Sequence, residues 1–466
     1  MKNNPTQQCQ GPVSRRQFLK IGSLGLGGLS LAGVTPYKLF ADQGESEPDR
    51  SVIFIWLPGG PPHMEMYDLK PDAPEEYRGA FRPIQTNVTG IQVSEHLPMH
   101  AHVADKFVLI RSIAHTFADH GGGHKRFLTG RDPRSPVGFV NDYPMVGSMV
   151  SRVLGNREDG VPNYVSGTDR GRDRIDVFSF GSAYLGPSTH PFSVSGDPAD
   201  PGFQVRNLDL SPQVSEQLDT RLELLNQFDN FNDQHDNSGI TSAMATHRER
   251  ALGLLTTDAA RRAFDLSREP LSVRERYGMH RYGQRALMAR RLVEAGASFV
   301  TMVMENPTFP GQRMPTDVTY NWDSHAVNCH IFTDSQFRFP MYDRAVTALI
   351  EDLYNRGLDR RVMLIVTGEF GRTPRITYNN GRPGRDHWPQ AMSLLVSGGG
   401  FRTGQVIGST TSRGERPKDR PMTPNDLWAT MFRHLGINHQ HTNFLDHTGR
   451  PMPILPYGTP IAELYS

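Results

Sequence analysis

The run Met341–Arg356, MYDRAVTALIEDLYNR, is closed by Gly357 and leads into Arg361–Thr367, RVMLIVT. The first stretch carries a helical pattern and ends on the residue type that most readily caps a helix. The second is short, β-branched and apolar on all sides, which fits a strand buried on both faces of a parallel sheet. A second pair repeats the arrangement: Arg281–Ala295, ended by Gly296, precedes Ser298–Met304. Ser51–Leu57, Phe107–Arg111 and Met392–Ser397 read as further buried strands, and Asn425–His434, ended by Gly436, as another helix. The alternation predicts an α/β, doubly wound fold, with a largely parallel central sheet and helices on both of its faces. The stretch 154–278 differs, with a Gly/Asp/Arg-rich start and polar helical segments at Thr220–Phe228 and Ala243–Leu254. It reads as an insertion or cap on the core. No repeat of 20–50 residues is visible.

Composition narrows the function classes. The chain has 466 residues, with 50 Lys+Arg against 49 Asp+Glu. The even balance and the lack of basic blocks argue against nucleic acid as a partner. Two cysteines, Cys9 and Cys329, leave no room for a disulfide framework or a Cys-based zinc cluster. The 18 histidines are a different matter, because several lie beside Asp or Gly.

Ser14-Arg15-Arg16-Gln17-Phe18-Leu19-Lys20 and the Gly-rich apolar stretch from Ile21 to Val34 match a twin-arginine export signal. About 14 residues are too few to span a bilayer core of roughly 30 Å. Residues 1–41 are therefore expected to be a signal peptide, and 42–466 a mature domain that acts in the periplasm or outside the cell. Losing that segment removes five basic residues (Lys2, Arg15, Arg16, Lys20, Lys38), no acidic ones, and Cys9. The mature balance becomes −4. No later stretch is long and apolar enough to be transmembrane.

In open parallel sheets, sites gather where the strands end. After Ser51–Leu57 comes Pro58-Gly59-Gly60-Pro61-Pro62-His63, whose glycines allow tight turns and whose His63, with Asp68 further on, is a possible metal ligand. After Phe107–Arg111 comes His115-Thr116-Phe117-Ala118-Asp119-His120-Gly121-Gly122-Gly123-His124-Lys125. Neutral imidazoles bind zinc and similar ions, and a Gly-rich backbone can turn its N–H groups toward an anion. Asn321-Trp322-Asp323-Ser324-His325 sets a hard oxygen beside an imidazole, as mixed O/N metal sites do. Gly368-Glu369-Phe370-Gly371-Arg372 places a carboxylate at a strand end. Gly384-Arg385-Asp386-His387 adds a guanidinium suited to a phosphate or sulfate and two more ligand candidates. HExxH, GxxxxGK[ST], GxSxG and C-x-x-C are all absent from the sequence.

Taken in order, these stretches resemble the DUF1501 family of secreted bacterial proteins. The resemblance is carried by WLPGGPPHMEMYDLKPDAPEEYRGAF, RSIAHTFADHGGGHKRFLTG, ARRLVEAGASFV, NWDSH, VTGEFGRTP, GRDHWP and DLWATMFRHLG. The family is placed in the alkaline phosphatase and sulfatase superfamily. That implies an alkaline phosphatase-like core and metal-dependent hydrolysis of phosphate or sulfate esters. HGGGHKRFLTG looks like the sulfatase signature, but His120 stands where the modified Cys or Ser nucleophile would be, so formylglycine chemistry is excluded. The resemblance and the residues together lead to expected roles. Asp323, His325, Glu369, Asp386, His387 and His63 hold one or two divalent ions (Zn, Ca or Mg). His120 or His124 acts as nucleophile or acid/base, and Lys125 and Arg385 neutralise developing charge. The substrate is expected to be an anionic small-molecule or polysaccharide ester. The rival reading is a non-catalytic, metal-containing protein that grips an anionic glycan or a protein partner. An exported-cofactor oxidoreductase rests on the export signal alone.

Overall fold

The computed structural model describes residues 50–155, 160–169, 180–205 and 258–465. The expected export signal and the two polar helical segments at 220–228 and 243–254 lie outside them. The described residues fall within one compact unit. Among the described residues no helix is long and apolar enough to cross a membrane.

Among the described residues eight strands make the central sheet: β1 (Ser51–Trp56), β2 (Phe107–Ile113), β3 (Tyr164–Thr168), β4 (Phe192–Ser195), β5 (Phe299–Val303), β6 (Val362–Thr367), β7 (Met392–Gly398) and β8 (Gln405–Ile407). Their spatial order is β8-β2-β7-β6-β1-β5-β3-β4. β7 pairs antiparallel with both β6 and β2, and the remaining neighbours pair in parallel. The largely parallel sheet expected from the apolar runs is what the backbone forms. β7 has a consequence for function: running backwards, it starts at the edge where its neighbours end. The segment leading into it, which contains Asp386 and His387, therefore joins the loops that follow β1, β2, β5 and β6.

Alternation along each strand splits the core into two layers. Ile53, Ile55, Val300, Met302, Leu364 and Val366 face one side, against α3 (Arg281–Glu294) and α4 (Ile331–Asn355). Val52, Phe54, Trp56, Phe299, Val303, Met363 and Ile365 face the other, against α1 (His120–Thr129), α2 (Val146–Leu154) and α5 (Pro424–His434). Strands with both faces buried need side chains that are apolar throughout, which is why these runs lack polar alternation.

One expectation changes. Helix α4 starts ten residues before Met341 and continues through Pro340. Proline removes one backbone donor, but the first turns are held independently by the His330 cap on Thr333 and by Arg338 on Asp334 at 2.8 Å. The stretch 154–278, read as an insertion or cap, contributes two strands, since β3 and β4 extend the sheet beyond β5. YVSGT and FSVS are short and rich in Ser and Gly, so they lack the β-branched apolar signal of the central strands.

Candidate metal centre

The loops at the sheet edge bring two groups of ligand-type side chains together. One is His120, Asp323, His325 and His387; the other is His120, His124 and Glu369. Within each group the ligand atoms lie within 4.8 Å of one another.

The first group is oriented from behind. His387 Nδ1 lies 2.7 Å from the Ala118 carbonyl, which can only accept, so Nδ1 carries the proton and Nε2 presents a lone pair. His325 Nδ1 lies 2.9 Å from the Asp386 carboxylate, which favours the same tautomer. The two Nε2 atoms then face each other at 2.8 Å, and Asp323 Oδ1 is 3.0 Å from one and 3.1 Å from the other. Three lone-pair donors directed at one point could hold a metal ion, and a shared proton would also satisfy them. Asp323 is itself fixed by Arg372 Nη2 at 2.7 Å and by Asn328 Nδ2 at 2.9 Å.

The second group centres on Glu369, which is fully buried. Its two oxygens accept from the Gly59 N–H at 2.9 and 3.1 Å, and Oε1 meets His120 Nδ1 at 2.8 Å and His124 Nε2 at 3.2 Å. Gly59 has φ +109, and a Cβ there would sit 2.5 Å from the Asp323 nitrogen, so this close approach needs glycine. Burial works to raise the Glu369 pKa, but the charge of His124 and the hydrogen bonds of His120 and His124 hold it far below the carboxylate range. Asp323 behaves alike: burial opposes ionisation, and its three histidine contacts and the Arg372 charge prevail. His120 bridges the groups, with Nδ1 toward Glu369 and Nε2 3.4 Å from Asp323 Oδ2. Burial would lower its pKa, yet those two carboxylates lift it to about 9.

The three consecutive glycines serve packing, not anion binding. They form the first turn of α1, where Asp119 caps the Gly121 and Gly122 N–H groups. A Cβ on Gly121 would stand 2.4 Å from the Gly138 carbonyl oxygen, and one on Gly123 would meet the Phe370 ring at 2.9 Å.

Three expected site residues lie elsewhere. Arg385 is fully buried and spends its guanidinium on Glu65 at 2.7 and 2.9 Å and on the Tyr77, Thr373 and Pro374 carbonyls. No face is left for an ester. Lys125 donates to the Ser135 and Val137 carbonyls, both at 3.1 Å, and holds the loop after α1. His63 is buried, accepts from the Arg372 N–H at 3.2 Å, and has its pKa pushed down to about 4 by burial. Asp68 is likewise engaged by Lys70 and Thr410. Asp386 touches His325 from outside the first group. Sequence reading passed over Arg372, although it is the strand-end arginine nearest Glu369. It also gave His115 no role of its own, yet the His115 ring lies 2.6 Å from the Glu369 carbonyl oxygen.

The chain belongs to the family described as "Protein of unknown function (DUF1501)", which matches residues 49–465. No curated protein matches the sequence. Similar solved structures include the phosphonate monoester hydrolase of Agrobacterium radiobacter, at 11% identity and TM-score 0.36, covering 89% of this chain and 77% of that one. The PsFucS1 sulfatase from Pseudoalteromonas sp. is similar at 10% identity and TM-score 0.34, covering 92% and 73%. BT1596, a 2-O GAG sulfatase, is similar at 11% identity and TM-score 0.37, covering 89% and 73%.

The pKa directions fix a pH dependence for the metal-free protein. His120 is raised from 6.5 to about 9, so its contribution is complete below pH 6.5 and lost as pH rises through 9. His63 and His115 are lowered to about 4, so theirs is complete above 6.5 and lost as pH falls to 4. The urea midpoint measured with chelator should peak near pH 6.5. His120→Gln should flatten the alkaline limb and spare the acid limb; an unchanged alkaline limb contradicts the assignment. Arg385→Ala should cost about 3–5 kcal/mol in the same assay, because Glu65 is left buried and unpaired. A stable variant would restore Arg385 as a candidate for substrate contact.

Proposed function

We propose that this DUF1501 member is a metal-dependent hydrolase of phosphate or sulfate esters. It is taken to act outside the cytoplasm after export by the twin-arginine route. The observation that carries the reading is the convergence of His325 Nε2, His387 Nε2 and Asp323 Oδ1 on one point, with both imidazoles held from behind. Three protein ligands are what catalytic zinc sites commonly supply, and two imidazoles among them favour zinc over calcium or magnesium. A divalent ion held there supplies Lewis-acid chemistry, polarising an ester oxygen and lowering the pKa of a water to about 7.

The chain's own residues account for the rest. Asp386 and the Ala118 carbonyl hold the ligand tautomers, and Arg372 aims the Asp323 carboxylate. Glu369 accepts from His120 Nδ1 and leaves Nε2 directed at Asp323. This carboxylate–imidazole pair beside Asp323, His325 and His387 is suited to moving a proton at His120 Nε2, to or from the reacting oxygen. Charge neutralisation by Lys125 and Arg385 is dropped, since neither side chain reaches the cluster. The missing Cys or Ser is consistent with attack by water.

Elemental analysis of purified protein should find about one divalent ion per chain, lost in Asp323→Ala and His387→Ala. Asp386→Ala should weaken metal affinity about 10–100-fold. With aryl phosphates and aryl sulfates, His120→Gln should retain metal while turnover falls about 10²–10⁴-fold. Wild-type protein without stoichiometric metal sinks the proposal. Metal without turnover on either ester class would favour a binding protein instead.

A further inference from the structure

His387 and Trp388 form a two-residue strand paired with Arg372 and Gly371. Successive side chains of a strand point to opposite faces. While His387 reaches the metal cluster, Trp388 lines a cavity of about 500 Å³, within the range of small-ligand sites. The metal-centre reading leaves this cavity unused. Its walls combine two aromatic rings, Tyr77 and Trp388, with Arg375, Arg416 and the Gln390 amide. The Trp388 indole N–H is spent on the Glu415 carbonyl at 2.7 Å, which locks the ring in place. Outside the lining, the Arg413 guanidinium lies 5.2 Å from the centre of the Tyr77 ring. Arg375, Arg413 and Arg416 are exposed, and among the described residues none of them forms an ion pair. Among the described residues Glu415 is the one acidic residue in the lining.

We propose that this cavity is a recognition subsite for an anionic sugar ring, a pyranose bearing sulfate or phosphate. A fixed indole offers an apolar plate to the C–H face of such a ring. The Gln390 amide can donate to a hydroxyl and accept from one. Guanidinium forks match the oxygens of sulfate and phosphate. A flat aryl anion would use the plate and the cations but leave the amide without a partner. The neighbouring backbone links the cavity to the cluster. Thr373, in its wall, bonds Asp386 in both directions at 2.8 and 2.9 Å, and Asp386 in turn holds His325. A sugar seated here therefore lies against the same ribbon that carries His387. The inference rests on the hydrolase reading only for which ester is cut; the binding itself does not require it.

Trp388 is also the reporter. Trp56, Trp322 and Trp428 are at most 1% exposed, whereas Trp388 is half-buried and lines the cavity. The full chain is titrated with a sulfated dextran oligosaccharide, the same oligosaccharide unsulfated, and phenyl sulfate, each with and without chelator. A saturable change in tryptophan emission is expected with the sulfated sugar, and affinities about tenfold weaker or worse for the other two probes. R375A/R416A, at two exposed positions, should weaken calorimetric binding at least about tenfold with an unchanged circular dichroism spectrum. W388F should abolish the emission change. Undiminished binding by R375A/R416A, an emission change that persists in W388F, or equal affinity for phenyl sulfate would each overturn the proposal. Loss of fold in R375A/R416A leaves W388F and the probe series to decide it. Chelator should leave binding intact, so a failed metal analysis and a failed titration are separate results.

Discussion

One buried guanidinium holds the site loops together. Arg372 donates to the Gly59 and Gly60 carbonyls after β1, to the Trp322 carbonyl and the Asp323 carboxylate after β5, and to the Arg385 carbonyl before β7. Its own N–H is taken by His63. Loops carry no regular hydrogen-bond ladder of their own, so a donor that satisfies several of them at once fixes their spacing. An arginine can do this because its five donors lie in one rigid plane. The same contact that ties the loops also aims Asp323, so the architecture and the ligand geometry share one constraint.

That constraint depends on strand direction. β7 brings its leading segment to the carboxyl edge only because it runs against β6 and β2. Asp386 and His387 thus meet His325 and Asp323, about sixty residues earlier in the chain. Helix α1 supplies the third direction of approach. Its glycines let the first turn settle against Phe370 and Glu369, which carries His120 between the two carboxylates.

Much of this was legible in the sequence. The five apolar runs named strands that the sheet contains, since a strand buried on both faces must be apolar throughout. His120, His124, Asp323, His325, Glu369 and His387 were all candidates, because imidazoles and carboxylates at strand ends are chemically conspicuous. What was missed is tertiary in origin. Arg372 and Arg385 each follow a glycine in a strand-end loop, and nothing local tells which one faces Asp323 and which faces Glu65. Lys125 follows a ligand-type histidine, yet helical geometry turns it toward the loop at 135–137. β3 and β4 escaped notice because YVSGT and FSVS are short and Ser-rich and carry little of the β-branched apolar signal.

The central claim is that the lone pairs of Asp323, His325 and His387 enclose a divalent ion. The most direct measurement is anomalous diffraction at the zinc edge, from crystals grown with zinc present. The account predicts a single strong peak about 2.0–2.2 Å from Asp323 Oδ1, His325 Nε2 and His387 Nε2, with the two imidazole nitrogens further apart than 2.8 Å. No peak at that position, with the nitrogens still in hydrogen-bond contact, would mean that a shared proton closes the cluster. The hydrolytic reading would then fall.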